Sequence, residues 1–102
     1  MFIQFEEAQG GIMLVNTDHV LTAHLDYDTN YKDMVVLVVT FGGDKPNRSD
    51  LYFGPADMTA EEVTARRDVL QTVLNGTAGD HDHGWSKAAD AEQRKIGALL
   101  PR

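Results

Sequence analysis

The run MVVLVVTF at residues 34–41 constrains this chain more than any other feature. On an extended backbone Val35, Leu37 and Val39 point to one side and Met34, Val36 and Val38 to the other, and both sets are apolar. A strand with one wet face alternates apolar with polar residues, so an apolar set on both parities predicts a central strand covered on each side. The cover can come from the chain itself or from an oligomer contact. With 102 residues, the chain has material for a single core, since folding at this size removes roughly 60–70% of the accessible surface.

Shorter strands are expected on either side. Phe2, Ile3 and Phe5 precede Gln9-Gly10-Gly11, and Ile12-Met-Leu-Val follows, so 2–7 and 12–15 should pair through a glycine-bearing connection. Asn16-Thr17-Asp18 offers side chains that bond nearby backbone, which predicts a second tight turn. Residues 19–25 become a third strand, with Leu21, Ala23 and Leu25 on its core side by alternation. After the turn formers of 42–49, Leu51-Tyr52-Phe53 reads as a short strand ended by Gly54-Pro55.

Helices follow. Thr59-Ala-Glu-Glu62 fits the capping box, with the threonine oxygen on the Glu62 N–H and the Glu62 carboxylate reaching back to the threonine N–H. Val63, Leu70, Val73 and Leu74, with Val69 beside them, make an apolar stripe over 59–75, and Asn75-Gly76 supplies a left-handed C-terminal cap. Residues 77–85 are small and polar, a linker. Residues 86–100 read as a C-terminal helix with Trp85, Ala89, Ile96 and Leu99 or Leu100 on one face. The expected fold is α+β: an antiparallel sheet of about five strands, one helix packed across a face, and a C-terminal helix. Residues 1–76 form the β-rich domain.

Two groupings resemble chemical sites. Asp26, Asp28 and Asn30 sit at the first three ligand positions of an EF-hand loop, but Tyr31 takes the place of its glycine and Leu37 that of its glutamate. A solvated turn is the reading that remains. In Gly79-Asp-His-Asp-His-Gly84, His81 and His83 can reach one metal from an extended segment. The His-x-His-x-Asp-His pattern of metallo-β-lactamase-type hydrolases is not completed, because Trp85 and Ser86 stand at its last two positions. His19 and His24 fall on opposite faces of their strand and make no local pair. Ser49 and Ser86 lack a nucleophile-elbow context, and neither glycine pair has the spacing of a phosphate loop. No enzyme and no cofactor is expected.

Composition removes further classes. No cysteine is present, which excludes disulfides, thiolate metal sites and cysteine nucleophiles. The net charge of −7 opposes broad contact with a nucleic-acid backbone, which needs clustered Lys and Arg. MFIQFEE at the start carries no basic leader, and no apolar run is long enough to cross a membrane, so cytoplasmic residence is expected.

The order Gly11, Leu14-Val15-Asn16, Asp18, Val20, then a long apolar strand and a helix with Glu61-Glu62-Val63 resembles the small FlbD-type proteins of flagellar operons over about residues 2–75. That resemblance implies a small binding or regulatory protein without catalysis. The leading functional expectation is therefore a non-enzymatic protein-binding module acting through a sheet face or edge strand, in a regulatory or inhibitory role. One form would be an acidic phage-type inhibitor on a basic site of a bacterial protein. The alternatives are a metal-binding protein using His81 and His83, and a structural subunit. A protein partner or a homodimer mate is expected, with Tyr27, Tyr31, Tyr52 and Trp85 as contact anchors, since interface hot spots are rich in Tyr and Trp.

Overall fold

The computed structural model describes residues 2–27, 31, 33–42, 47–75 and 85–99. In these, β1 (Phe2–Glu6), β2 (Ile12–Asn16), β3 (Val20–Asp26), β4 (Met34–Phe41), β5 (Asn47–Pro55), α1 (Ala60–Leu74) and α2 (Lys87–Leu99) follow one another, with a 3-10 turn at Thr17–His19. β4 lies between β3 and β5, antiparallel to both. Its residues Val35 to Val39 are at most 2% exposed. Val35, Leu37 and Val39 enter the main core with Ile3, Phe5, Val15, Leu51, Phe53, Leu70 and Val73. Val36 and Val38 form a second cluster with Ala8, flanked by Tyr31 and Met34. The chain thus covers both faces of β4 by itself, and burying this strand requires no oligomer contact.

The single five-stranded sheet does not form. There are two antiparallel sheets among the described residues, β1–β2 and β3–β4–β5. At the end of β1 the backbone meets the larger sheet through the Glu7–Leu51 bridge and the Ala8 N–H, which donates to the Asp50 carbonyl at 3.0 Å. Gly10 and Gly11, at φ 105° and 98°, then turn it back, a conformation open to glycine at little cost. Ile3, Phe5 and Val15 on the inner face of the hairpin pack onto the main core. After β2, the Asn16 side chain accepts the Asp18 N–H at 3.1 Å and starts the 3-10 turn that sends the chain into the second sheet.

Two irregularities change which side chains are buried. A register shift between Val20 and Thr22 leaves Leu21 as the extra residue of β3. Leu21 is 67% exposed rather than in the core, while Val20 and Leu25 pack against it. A second shift, between Val35 and Val36, makes Phe53 the extra residue of β5. β5 also starts earlier than its apolar part: Asn47 to Asp50 pair with Val38 to Phe41 through backbone bonds that do not depend on side-chain polarity.

α1 begins as its capping box dictates, with Thr59 Oγ1 accepting the Glu62 N–H at 3.1 Å. The reciprocal contact differs, because the Thr59 hydroxyl itself reaches Glu62 Oε1 at 3.5 Å. Leu70 and Val73 are buried and Val63 and Leu74 pack at the margin, whereas Val69 is exposed. Asn75 is right-handed at φ −77°, so it is not itself the left-handed cap, and Gly76 lies outside the described residues. Among the described residues no helix is long and apolar enough to cross a membrane.

Candidate functional site

α2 docks through charges. Lys87, Asp90 and Arg94, at i, i+3 and i+7, occupy one face of the helix. Asp90 is 4% exposed. Its carboxylate accepts the Tyr52 hydroxyl at 2.6 Å and both Arg66 terminal nitrogens, at 2.9 and 2.6 Å. Arg66 Nη1 also donates to the Phe53 carbonyl at 2.9 Å. Gly54 makes this approach possible, since a Cβ there would stand 2.9 Å from that nitrogen and closer still to Met58. One turn before, Lys87 Nζ donates to the Glu7 and Ala8 carbonyls at 2.8 and 3.2 Å. The Glu6 carboxylate accepts the Lys87 backbone N–H at 3.2 Å, and Ser86 Oγ accepts the Ala89 N–H at 3.1 Å, so strand and helix residues together cap α2. Further on, Arg94 pairs with Asp57 at 3.0 Å and Glu62 at 2.9 Å.

These contacts set the titration of the groups. Burial alone would raise the Asp90 carboxyl, but hydrogen bonds from Arg66 and Tyr52 and the Arg66 charge outweigh it and hold it below the usual carboxylate range. Burial pushes the Tyr52 hydroxyl far above the ordinary tyrosine value, and the Asp90 hydrogen bond and charge push the same way. The Arg94 hydrogen bond lowers Glu62. Shifted groups in a cleft point to chemistry, yet here each is committed to a protein partner. The surface hollows at the hairpin and beside β3 are lined by other residues, so the cluster reads as a structural clamp.

The expected anchors separate into two kinds. Tyr52, 5% exposed, is part of the clamp. Trp85 packs edge-on against Phe53 at 5.8 Å with the Arg66 guanidinium 5.1 Å from its ring centre. Both make these contacts inside the fold. Tyr31 is half-buried against the second cluster, and Tyr27 is exposed at the end of β3. Of the expected apolar face of the C-terminal segment, Trp85 packs against the main core while Ala89 and Ile96 are exposed, and the side chains of Leu99 and Leu100 lie outside the described residues. His81 and His83, like Asp28 and Asn30, lie outside the described residues, among which no group of three or more potential metal ligands gathers.

The outer edge of the larger sheet, along β3, is open backbone among the described residues. β3 pairs with β4 on one side and, among the described residues, with no strand on the other. Four consecutive residues, Leu21, Thr22, Ala23 and His24, are exposed. No proline, lysine or glutamate interrupts Val20 to Leu25, although such residues are the usual protection of an edge. Beside it run two hollows of about 390 and 310 Å³, the first walled by α1 and the second floored by Leu25 and Leu37. A larger hollow of about 660 Å³ lies between the hairpin and the start of β5. Its arginine, Arg48, is already paired with Asp50 at 3.0 Å, and the Glu7–Leu51 bridge closes the adjoining edge.

Comparison with known proteins finds no matching family model, no matching curated relative and no matching solved structure. Sequence reasoning missed Arg66, Lys87, Asp90 and Arg94 as the residues that organise the C-terminal helix. The available signal was the charged i, i+3, i+7 row on α2.

Proposed function

We propose that this protein is a non-enzymatic protein-binding module with a regulatory or inhibitory role, which takes an extended segment of a partner as an added strand along β3. The observation that carries this is the seven-residue edge strand with four consecutive exposed residues and a side-chain groove next to it. Strand addition of this kind draws affinity from main-chain hydrogen bonds and specificity from pockets for alternate side chains. A regulatory role is what the FlbD-type resemblance implies for such a binding surface.

Panning a random peptide library against the full chain and measuring hydrogen exchange with a selected peptide tests the reading. The alternate amides between Leu21 and Asp26 that point away from β4 should gain protection. Selected peptides that protect only other segments would refute it.

A second reading, a subunit of a larger assembly or a homodimer, is favoured by Phe2, Ile12 and Leu14, which are exposed together on the outer face of the hairpin. A mass that rises with protein concentration and is restored to monomer by Leu14→Glu would support it. Metal binding at His81 and His83 is tested by a zinc-dependent rise in Tm that disappears in the double alanine variant.

A further inference from the structure

We infer that the groove between β3 and α1 selects an extended segment, neutral or basic overall, that carries one carboxylate side chain read by Arg67. This rests on β3 accepting an added strand. The two hollows meet at Ala23 and Arg67, which line both of them. A strand added outside β3 would lie about 4.8 Å away and turn every second side chain to the α1 side of the sheet. On that side Ala23, paired with Val39, leaves the space open.

Arg67 is exposed, and among the described residues its side chain has no hydrogen bond or ion pair. Its neighbour Arg66 is instead engaged by Asp90 and the Phe53 carbonyl. Asp68 lines only the first hollow, and the second adds His24 and Tyr27 rather than another carboxylate. The junction therefore carries an exposed guanidinium, which complements a carboxylate. The net charge of −7 opposes a strongly acidic ligand from a distance, whereas within a Debye length of about 8–10 Å the nearest charge decides. One carboxylate in an otherwise neutral or basic segment satisfies both conditions.

The test pans a phage-displayed random twelve-residue library on the full wild-type chain and on Arg67→Glu and Arg67→Gln, with hydrogen exchange of β3 as an independent readout. Wild type should enrich Asp or Glu at one fixed position. Arg67→Glu should enrich Lys or Arg at that position and bind the wild-type-selected peptide roughly tenfold more weakly, with Arg67→Gln between the two and all three proteins equally folded by thermal melt. Peptides that protect β3 but show no acidic preference, or an unchanged preference in Arg67→Glu, would overturn the role of Arg67 and leave strand addition intact. Absence of any peptide that protects β3 would overturn both. Protection of β3 that grows with protein concentration alone would identify the occupant as a second copy and overturn the proposed ligand.

Discussion

Replacing Asp90 by alanine removes the acceptor on which α2 closes. Two groups lose their partner: the buried Tyr52 hydroxyl, and Arg66, whose side chain is 16% exposed and keeps the Phe53 carbonyl. Leaving a buried hydroxyl without a partner costs about 1–3 kcal/mol. Removing one member of a buried ion pair costs about 3–5 kcal/mol when the other charge stays dry, but the Arg66 head group retains one acceptor and lies near water. A net loss of about 2–4 kcal/mol follows. At roughly 4–8 °C per kcal/mol for a domain of this size, Tm should fall by about 10–30 °C.

The loss has a ceiling, because α2 can leave the body as a unit and let both groups hydrate. The alanine variant should therefore be no less stable than a chain truncated after residue 85. Chemical melts of wild type, Asp90→Ala, Tyr52→Phe, the double variant and the truncation measure this. A coupling of about 1 kcal/mol or more between positions 52 and 90 is expected from a charge-assisted bond. A loss below about 0.5 kcal/mol, the range of ordinary surface changes, would refute the clamp.

Three other outcomes are expected. The lowered Asp90 carboxyl contributes stability that is full above its ordinary value of 3.8 and is lost as pH falls below it, while the raised Tyr52 hydroxyl contributes stability that is full below 10.0 and is lost as pH rises beyond it. Melts across pH should show Asp90→Asn with a shallower acid arm and Tyr52→Phe with a shallower alkaline arm. Gly54→Ala should cost about 1–3 kcal/mol by overpacking, read by urea titration, as the new Cβ displaces Met58 and Arg66. Thr59→Ala should cost about 1 kcal/mol through the lost α1 cap, and Thr59→Ser should recover most of it.

What was legible in the sequence is what depends on neighbours in the chain. The apolar parities of Met34 to Phe41, the Thr59 cap and the Leu70–Val73 stripe are local patterns, and each appears in the structure. The division into two sheets was not legible, since it turns on where the backbone leaves β1 at Glu7 and Ala8 and bends at Thr17. Leu21 was misplaced because one inserted residue reverses alternation without any mark in composition. The docking of α2 was sought in an apolar stripe, while the observed face is Lys87, Asp90 and Arg94. Of the candidate site, Tyr27 and the option of an edge strand were visible. The identity of that edge, and the place of Arg67 beside it, required the strand order and the position of α1.

A three-stranded sheet has two outer strands, and this chain treats them differently. Beside β5 stand the Glu7 bridge and the α2 clamp, with Lys87 on the Glu7 and Ala8 carbonyls and Asp90 on Tyr52. β3 has no such cover among the described residues, and its bulge falls at the Val20 end, leaving Thr22 to Asp26 in regular register. An open edge invites pairing between copies; here the charge of −7 on each chain opposes it. If that repulsion is the guard, screening should remove it. Raising ionic strength from 0.1 M to 1 M shortens the Debye length from about 10 Å to about 3 Å, and sedimentation should then show self-association that Ala23→Lys, which places a charge on the groove side of the edge, prevents. Monomeric wild type at high salt would mean that charge is not what protects β3. Association that persists in Ala23→Lys would place the contact elsewhere, with the exposed hairpin face of Phe2, Ile12 and Leu14 the next surface to substitute.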